Sequence, residues 1–256
     1  MIVTADSVTE PGEVAGRVLV AGSHGGRVAA HYAAVAGVRA VIFNDAGIGL
    51  DEAGILGLAL LETIGMAAAA VDHRSARIGD GGDMLARGIL SRVNRVAGRL
   101  GLAPGMRCAD AALRLAAAPQ PEGRLPEEEQ GRYRFADRVL GVDSIGMLEA
   151  EDAGRILVIG SHAALHGGRP ESALPFGAAL AIFNDAGGAT SRLPELDRRG
   201  IAAAAVDCWS ARIGDARSMW ERGCLSQINA SAAAQGIVAG SSVQAAAAVA
   251  AAREQP

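Results

Sequence analysis

The sequence predicts an internally duplicated α/β protein, each half reading βαβαβα around a parallel sheet covered by helices on both faces. Three observations carry this. The stretch Ala67–Asp80 (AAAAVDHRSARIGD) returns as Ala202–Asp215 (AAAAVDCWSARIGD), differing only where His73-Arg74 becomes Cys208-Trp209. Short runs of Val, Ile, Leu and Ala flanked by glycine alternate with segments of helical period. Those runs are continuously apolar, as strands buried on both faces must be.

In order, the first strand of each half is Arg17–Ala21 and Arg155–Ile159. Each runs into Gly-Ser-His, at Gly22-Ser23-His24 and Gly160-Ser161-His162. Gly25-Gly26 follows at once in the first half, whereas Ala163–His166 intervenes before Gly167-Gly168 in the second. A helix over Arg27–Ala36 stops at Gly37, a residue suited to the position after a helix end. The second strands, Val38–Phe43 and Ala179–Phe183, end in Asn44-Asp45-Ala46-Gly47 and Asn184-Asp185-Ala186-Gly187. A helix near Glu52–Ile64 is apolar nearly all round, and its counterpart near Ser191–Arg199 is shorter and carries Pro194. The third strands are Met66–Val71 and Ile201–Val206.

After the SARIGD loop, Leu85, Ile89, Val93, Val96 and Leu100 fall on one face of a third helix. Trp220, Cys224 and Ile228 repeat the stripe, with Asp83 and Ser218 as caps. Last helices follow at Met106–Ala117 and Ser241–Arg253, and extra strands are expected at Ile2–Val8 and Arg138–Ile145. The halves are then 1–117 and 138–256, related by an approximate two-fold axis. The linker, 118–137, centres on Pro119–Glu129, rich in Pro, Glu and Gly.

Composition excludes several functions. With 50 % hydrophobic residues the chain is globular and not disordered. All 24 basic residues are arginine, which removes Schiff-base chemistry, a lysine general base and the P-loop lysine. A net charge of −4 without a basic run argues against nucleic acid. The apolar stretch Ala245–Ala252 is too short for a bilayer, Met1–Ser7 does not read as a leader, and three scattered cysteines suit a reducing compartment. The expectation is a cytoplasmic protein that contacts neither nucleic acid nor membrane, and whose apolar helix faces favour a homo-oligomer.

Ligands of open parallel sheets bind beyond the carboxyl ends of the strands. The polar residues of both halves concentrate there: Ser23, His24, Asn44, Asp45, Asp72, His73, Ser75 and Arg77 in one, and Ser161, His162, Asn184, Asp185, Asp207, Cys208, Ser210 and Arg212 in the other. Gly25 and Gly26 present backbone N–H groups at a helix start, where an anion is favoured. The turn lacks the third glycine of a dinucleotide fingerprint. His-Gly-Gly resembles the oxyanion loop of some esterases, but the chain holds no Gly-x-Ser-x-Gly elbow. Arg77 and Arg212 offer planar forks for a carboxylate or phosphate; ion pairs with Asp80 and Asp215 are the competing role.

Cys224 aligns with Ile89 and Cys108 with Val243, so both read as core. Cys208 alone aligns with a polar residue, His73. If a two-fold axis brings them together, they form an activated nucleophile or an acid/base pair, with Asp72, Asp207 and His24 assisting. His24, Asp45, Asp72 and His73 hold donors suited to zinc or manganese, but no ligand spacing selects a metal, and no cofactor is expected. The sequence therefore points to a hydrolase or isomerase of a small anionic or amide-bearing metabolite, its site at the strand ends near the junction of the repeats. A non-catalytic binder or sensor of small anions is the alternative.

Overall fold

The computed structural model describes residues 1–253, and positions 254–256 of the expected second repeat lie outside the described residues. The chain forms two compact units. One comprises Met1–Ile48, Glu52–Glu129 and His166–Gly168; the other comprises Gly49–Asp51, Gln130–Leu165 and the chain from Arg169 on.

The first unit runs β1 (Ile2–Ala5), β2 (Val18–His24), α1 (Arg27–Val35), β3 (Ala40–Asn44), α2 (Leu56–Thr63), β4 (Ala67–Val71), α3 (Gly81–Arg87), β5 (Leu90–Val93), α4 (Arg95–Arg99) and α5 (Cys108–Leu115). The sheet order is β1-β2-β3-β4-β5. The first four strands are parallel, and β5 closes the edge antiparallel to β4. Because side chains alternate across a strand, each buried strand feeds two cores. Leu19, Ala21, Val41, Phe43, Ala68 and Ala70 pack with Ala30 and Ala33 of α1 and Leu58 and Leu61 of α2. Val20, Ile42, Ala69 and Val71 pack on the other side with Met84 of α3 and Ala111 and Leu115 of α5. Helices thus cover both faces, and the duplicated α/β architecture is present.

The second unit runs β6 (Arg132–Ala136), β7 (Val139–Val142), β8 (Ile156–His162), β9 (Leu180–Asn184), α6 (Arg192–Arg198), β10 (Ala203–Val206), α7 (Ala216–Arg222), β11 (Leu225–Ile228), α8 (Ala230–Ala234) and α9 (Val243–Ala251). Its sheet order is β11-β10-β9-β8-β7-β6, with parallel strands from β7 to β10 and an antiparallel strand at each edge. It has no counterpart of α1; the chain from β8 to β9 crosses in short 3-10 turns instead.

Three expectations are corrected. The third helix is a helix, a strand and a second helix in both units. Gly88 and Gly223 end α3 and α7 with extended backbone, and β5 and β11 then pair antiparallel with β4 and β10. The apolar stripe is shared by these three elements, and its helical spacing is coincidental. The caps are Asp80 and Asp215, which accept from the backbone N–H of Asp83 and Ser218 at 2.8 Å each. Asp83 and Ser218 instead accept from the N–H of Arg77 and Arg212. The segment 118–137 contains β6, whose apolar Tyr133 and Phe135 alternate with exposed Arg132 and Arg134 at the sheet edge.

Two buried asparagines join these pieces. Asn94 Nδ2 donates to the carbonyls of Leu58 and Met66, and its Oδ1 accepts from Ala68 and Ala97 N–H. Asn229 repeats all four bonds with Leu193, Ile201, Ala203 and Ala232. Each side chain thereby caps one helix start, binds the segment leading into a strand and ties both to the first turn of a second helix.

Candidate functional site

In the first unit three parallel strands end side by side. His24 of β2 pairs in register with Asn44 of β3, and Asn44 with Val71 of β4. The residues just beyond form a polar rim, and most of its duplicated members have structural partners. Ser23 and Ser161 accept from the backbone N–H of Val8 and Ile145 at 2.9 Å. Asn44 and Asn184 donate to the carbonyls of Ala76 and Ala211 and accept from Ala46 and Ala186 N–H. Ser75 and Ser210 donate to the carbonyls of Asp72 and Asp207 and accept from Ile89 and Cys224 N–H. Gly25 N–H donates to the Asn44 carbonyl, and Gly26 N–H to His24 Nδ1. Gly22 and Gly160 are required because a Cβ would lie 2.5 Å from Asp80 N or Asp143 O.

The arginines follow their competing role. Arg77 is exposed and pairs with Asp80 and Asp83 at 3.0 and 3.2 Å; Arg212 pairs with Asp215 at 3.0 Å. These pairs hold the loop on its own helix start.

The carboxylates differ. Asp45 is buried, and its Oδ1 accepts from Gly47 N–H, His73 N–H and the His73 ring nitrogen Nδ1, the last at 2.8 Å. Asp185 accepts in the same way from Gly187 and Cys208 N–H. Both sit beside an alanine with positive φ, 50° at Ala46 and 49° at Ala186. A non-glycine residue there costs about 1–2 kcal/mol, and such strain concentrates at functional sites. Asp72 is gripped by the Arg74 guanidinium and backbone N–H, which hold its carboxyl down at about 2.

His73 leaves 21 % of its side chain open. Its hydrogen bond to Asp45 raises its pKa above the ordinary imidazole value, against the opposing effect of burial. The carboxylate can only accept, so Nδ1 carries the proton and Nε2 presents a lone pair. Cys208, its counterpart, is buried. Burial and the Asp185 and Asp207 carboxylates push its thiol up to about 12, so within its unit it is a protonated thiol and not a thiolate. His73 belongs to the first unit and Cys208 to the second, and each is read in its own surroundings.

His24 and His162 accept at Nδ1 from Gly26 and Ala164 N–H, at 3.2 and 3.3 Å. Donor atoms of Asp45, Asp72 and His73 lie within 4.8 Å of one another, as do those of Asp185, Asp207 and Cys208. Either trio has the chemistry for a divalent ion, but at Asp72 a cation has to displace Arg74. Cys108 is buried in the α5 core as expected, but Cys224 is only half-buried, lies outside the core and donates to the Gly240 carbonyl.

Sequence reading missed Arg192, Asn94 and Asn229. The asparagines had a signal: each lies at the same distance beyond the duplicated loop. Arg192 had none, because it is unique to the second half. No family model matches the chain, and no curated protein or solved structure matches it either. Among the described residues, no helix is long and apolar enough to cross a membrane.

Proposed function

We propose that the protein is an enzyme acting on a small polar metabolite, a hydrolase or isomerase. Its acid/base centre is His73 of the first unit, oriented by Asp45. The observation that carries this is the 2.8 Å bond from His73 Nδ1 to a buried carboxylate, which leaves Nε2 open as a base. A positioned imidazole of this kind contributes roughly 10²–10⁴ in rate. The second unit keeps the rim but has Cys208 in place of the imidazole, so it supports the fold and lacks the base.

The test is turnover of a panel of small esters, amides, hydroxyketones and 2-oxo acids, followed by proton NMR in D₂O. His73→Asn is expected to remove activity and Asp45→Asn to reduce it, with the thermal melt showing that each variant is folded. Unchanged turnover in His73→Asn overturns the reading. Saturable binding of a panel compound with no turnover supports the alternative, a non-catalytic binder.

A further inference from the structure

The two imidazoles of the first unit are locked in opposite tautomers. His24 Nδ1 accepts from the Gly26 N–H, so the ring proton sits on Nε2 as a donor. His73 Nδ1 donates to Asp45, so its Nε2 is left as an acceptor on a partly exposed ring. No described residue hydrogen-bonds to either Nε2. The ends of β2 and β4 are two strand spacings apart, roughly 10 Å, with β3 between them. Asp45, just beyond β3, holds the His73 ring at 2.8 Å, on the side of β4 that faces β3.

Resting on the reading of His73 as the base, we propose that the substrate is a carbonyl compound. The Nε2–H of His24 holds its oxygen while Nε2 of His73 takes the proton from the carbon next to the carbonyl. The C–H electron pair becomes the C=C bond of an enolate, and the carbonyl π pair moves onto the oxygen facing His24. The proton on His73 then returns to the same carbon or, where that carbon carries a hydroxyl whose proton passes to the oxygen facing His24, to the former carbonyl carbon, leaving the new carbonyl at its neighbour; nothing is oxidised or reduced overall.

Proton transfer is favoured over covalent acyl transfer because the hydroxyls near the base are committed. Ser75 is bonded to Asp72 and Ile89, and Ser91 donates to the Ala70 carbonyl. Burial, which pushes His24 down to about 4, keeps this ring a neutral donor at physiological pH. A neutral imidazole suits an oxygen whose charge develops only as the proton leaves. The second unit repeats the Nδ1 lock at His162. It has Cys208 at the position of the base.

Two measurements on the full chain test this. Long-range ¹H–¹⁵N spectra of the imidazoles are expected to show His24 in the Nε2–H form from pH 5.5 to 8 and His73 with its proton on Nδ1 at high pH. A His24 ring charged at pH 7, or protonated on Nδ1, overturns the proposal whether or not the enzyme is active. In D₂O, hydroxyketones or 2-oxo acids are expected to lose the proton signal next to the carbonyl. His24→Phe should lower kcat for that exchange by roughly 10²–10³ with little change in KM, and His24→Gln, which keeps a donor, should recover part of it. Exchange lost in His73→Asn but unaltered in His24→Phe overturns this inference and leaves the proposed function standing. Hydrolysis with no exchange overturns the substrate class alone. Exchange that survives His73→Asn overturns both.

Discussion

At the scale of single residues, the same loop sequence gives two chemistries because one position differs. Asp45 and Asp185 make equivalent backbone bonds, yet one faces an imidazole and the other a buried thiol. Since the pKa of His73 is raised in the fold, the charged ring stabilises the protein fully below about pH 6.5, its ordinary value. That contribution is lost as pH rises through the folded-state pKa. Denaturant melts between pH 5 and 9 should show this slope in the wild type and a flatter profile in His73→Asn. Asp45→Asn should bring the His73 titration, read from its ring proton shift, back down toward 6.5. His24 has the opposite sign. Its lowered pKa lets the unfolded chain bind a proton that the folded chain refuses, so stability falls as pH drops from about 6.5 to about 4. The positions of these residues at strand ends were legible from the duplication alone. Their division into structural and chemical roles was not, because it depends on where each side chain finds its partner.

Among the elements, the strands were the most legible, since an apolar run between glycines leaves the backbone few other places to go. The region after SARIGD is ambiguous in sequence, because apolar residues at the spacing of one long helix also suit a helix, an edge strand and a short helix in succession. The discriminating residues are Gly88 and Asn94. A Cβ at Gly88 would lie 2.4 Å from the Met84 carbonyl oxygen, and Asn94 caps α4 while clamping β4. Replacing Asn94 or Asn229 with alanine removes the partner of two buried N–H groups and of the carbonyl leading into the strand. Each variant should lose about 2–4 kcal/mol in chemical denaturation, with unchanged secondary structure in the circular dichroism spectrum. Asp80→Ala removes one cap and should cost about 1 kcal/mol by the same measurement.

At the scale of the whole molecule, the duplication governs architecture and the departures from it mark specialisation. In the first unit Gly57 lets α2 approach the β2–α1 turn, where a Cβ would lie 2.4 Å from the Gly26 carbonyl oxygen. In the second unit the corresponding residue is Arg192, completely buried, and α1 is missing. Its guanidinium donates to the carbonyls of His162, Ser172 and Ala173 and lies 5.4 Å from the Phe183 ring centroid. One side chain thus organises the irregular crossing that replaces a helix, and burial lowers its pKa to about 10. Arg192→Ala should cost about 3 kcal/mol through the lost bonds to buried carbonyls. Hydrogen exchange should speed up across 162–176 while the sheet of the first unit, β1 to β5, stays protected. Nothing in the linear sequence announced this exchange of helix for arginine, since it requires knowing which positions become neighbours.

Both tryptophans of the chain belong to the second unit. Trp220 stacks on Phe135 with centroids 4.9 Å apart, and Trp209 is 61 % exposed on the loop after β10. Tryptophan fluorescence, excited near the red edge where tyrosine does not absorb, therefore watches one unit alone, with a sheltered indole at its sheet edge and an open one at its rim. The unit that carries His73 is optically dark at those wavelengths, and a tryptophan placed there would let the two be followed separately in one cuvette.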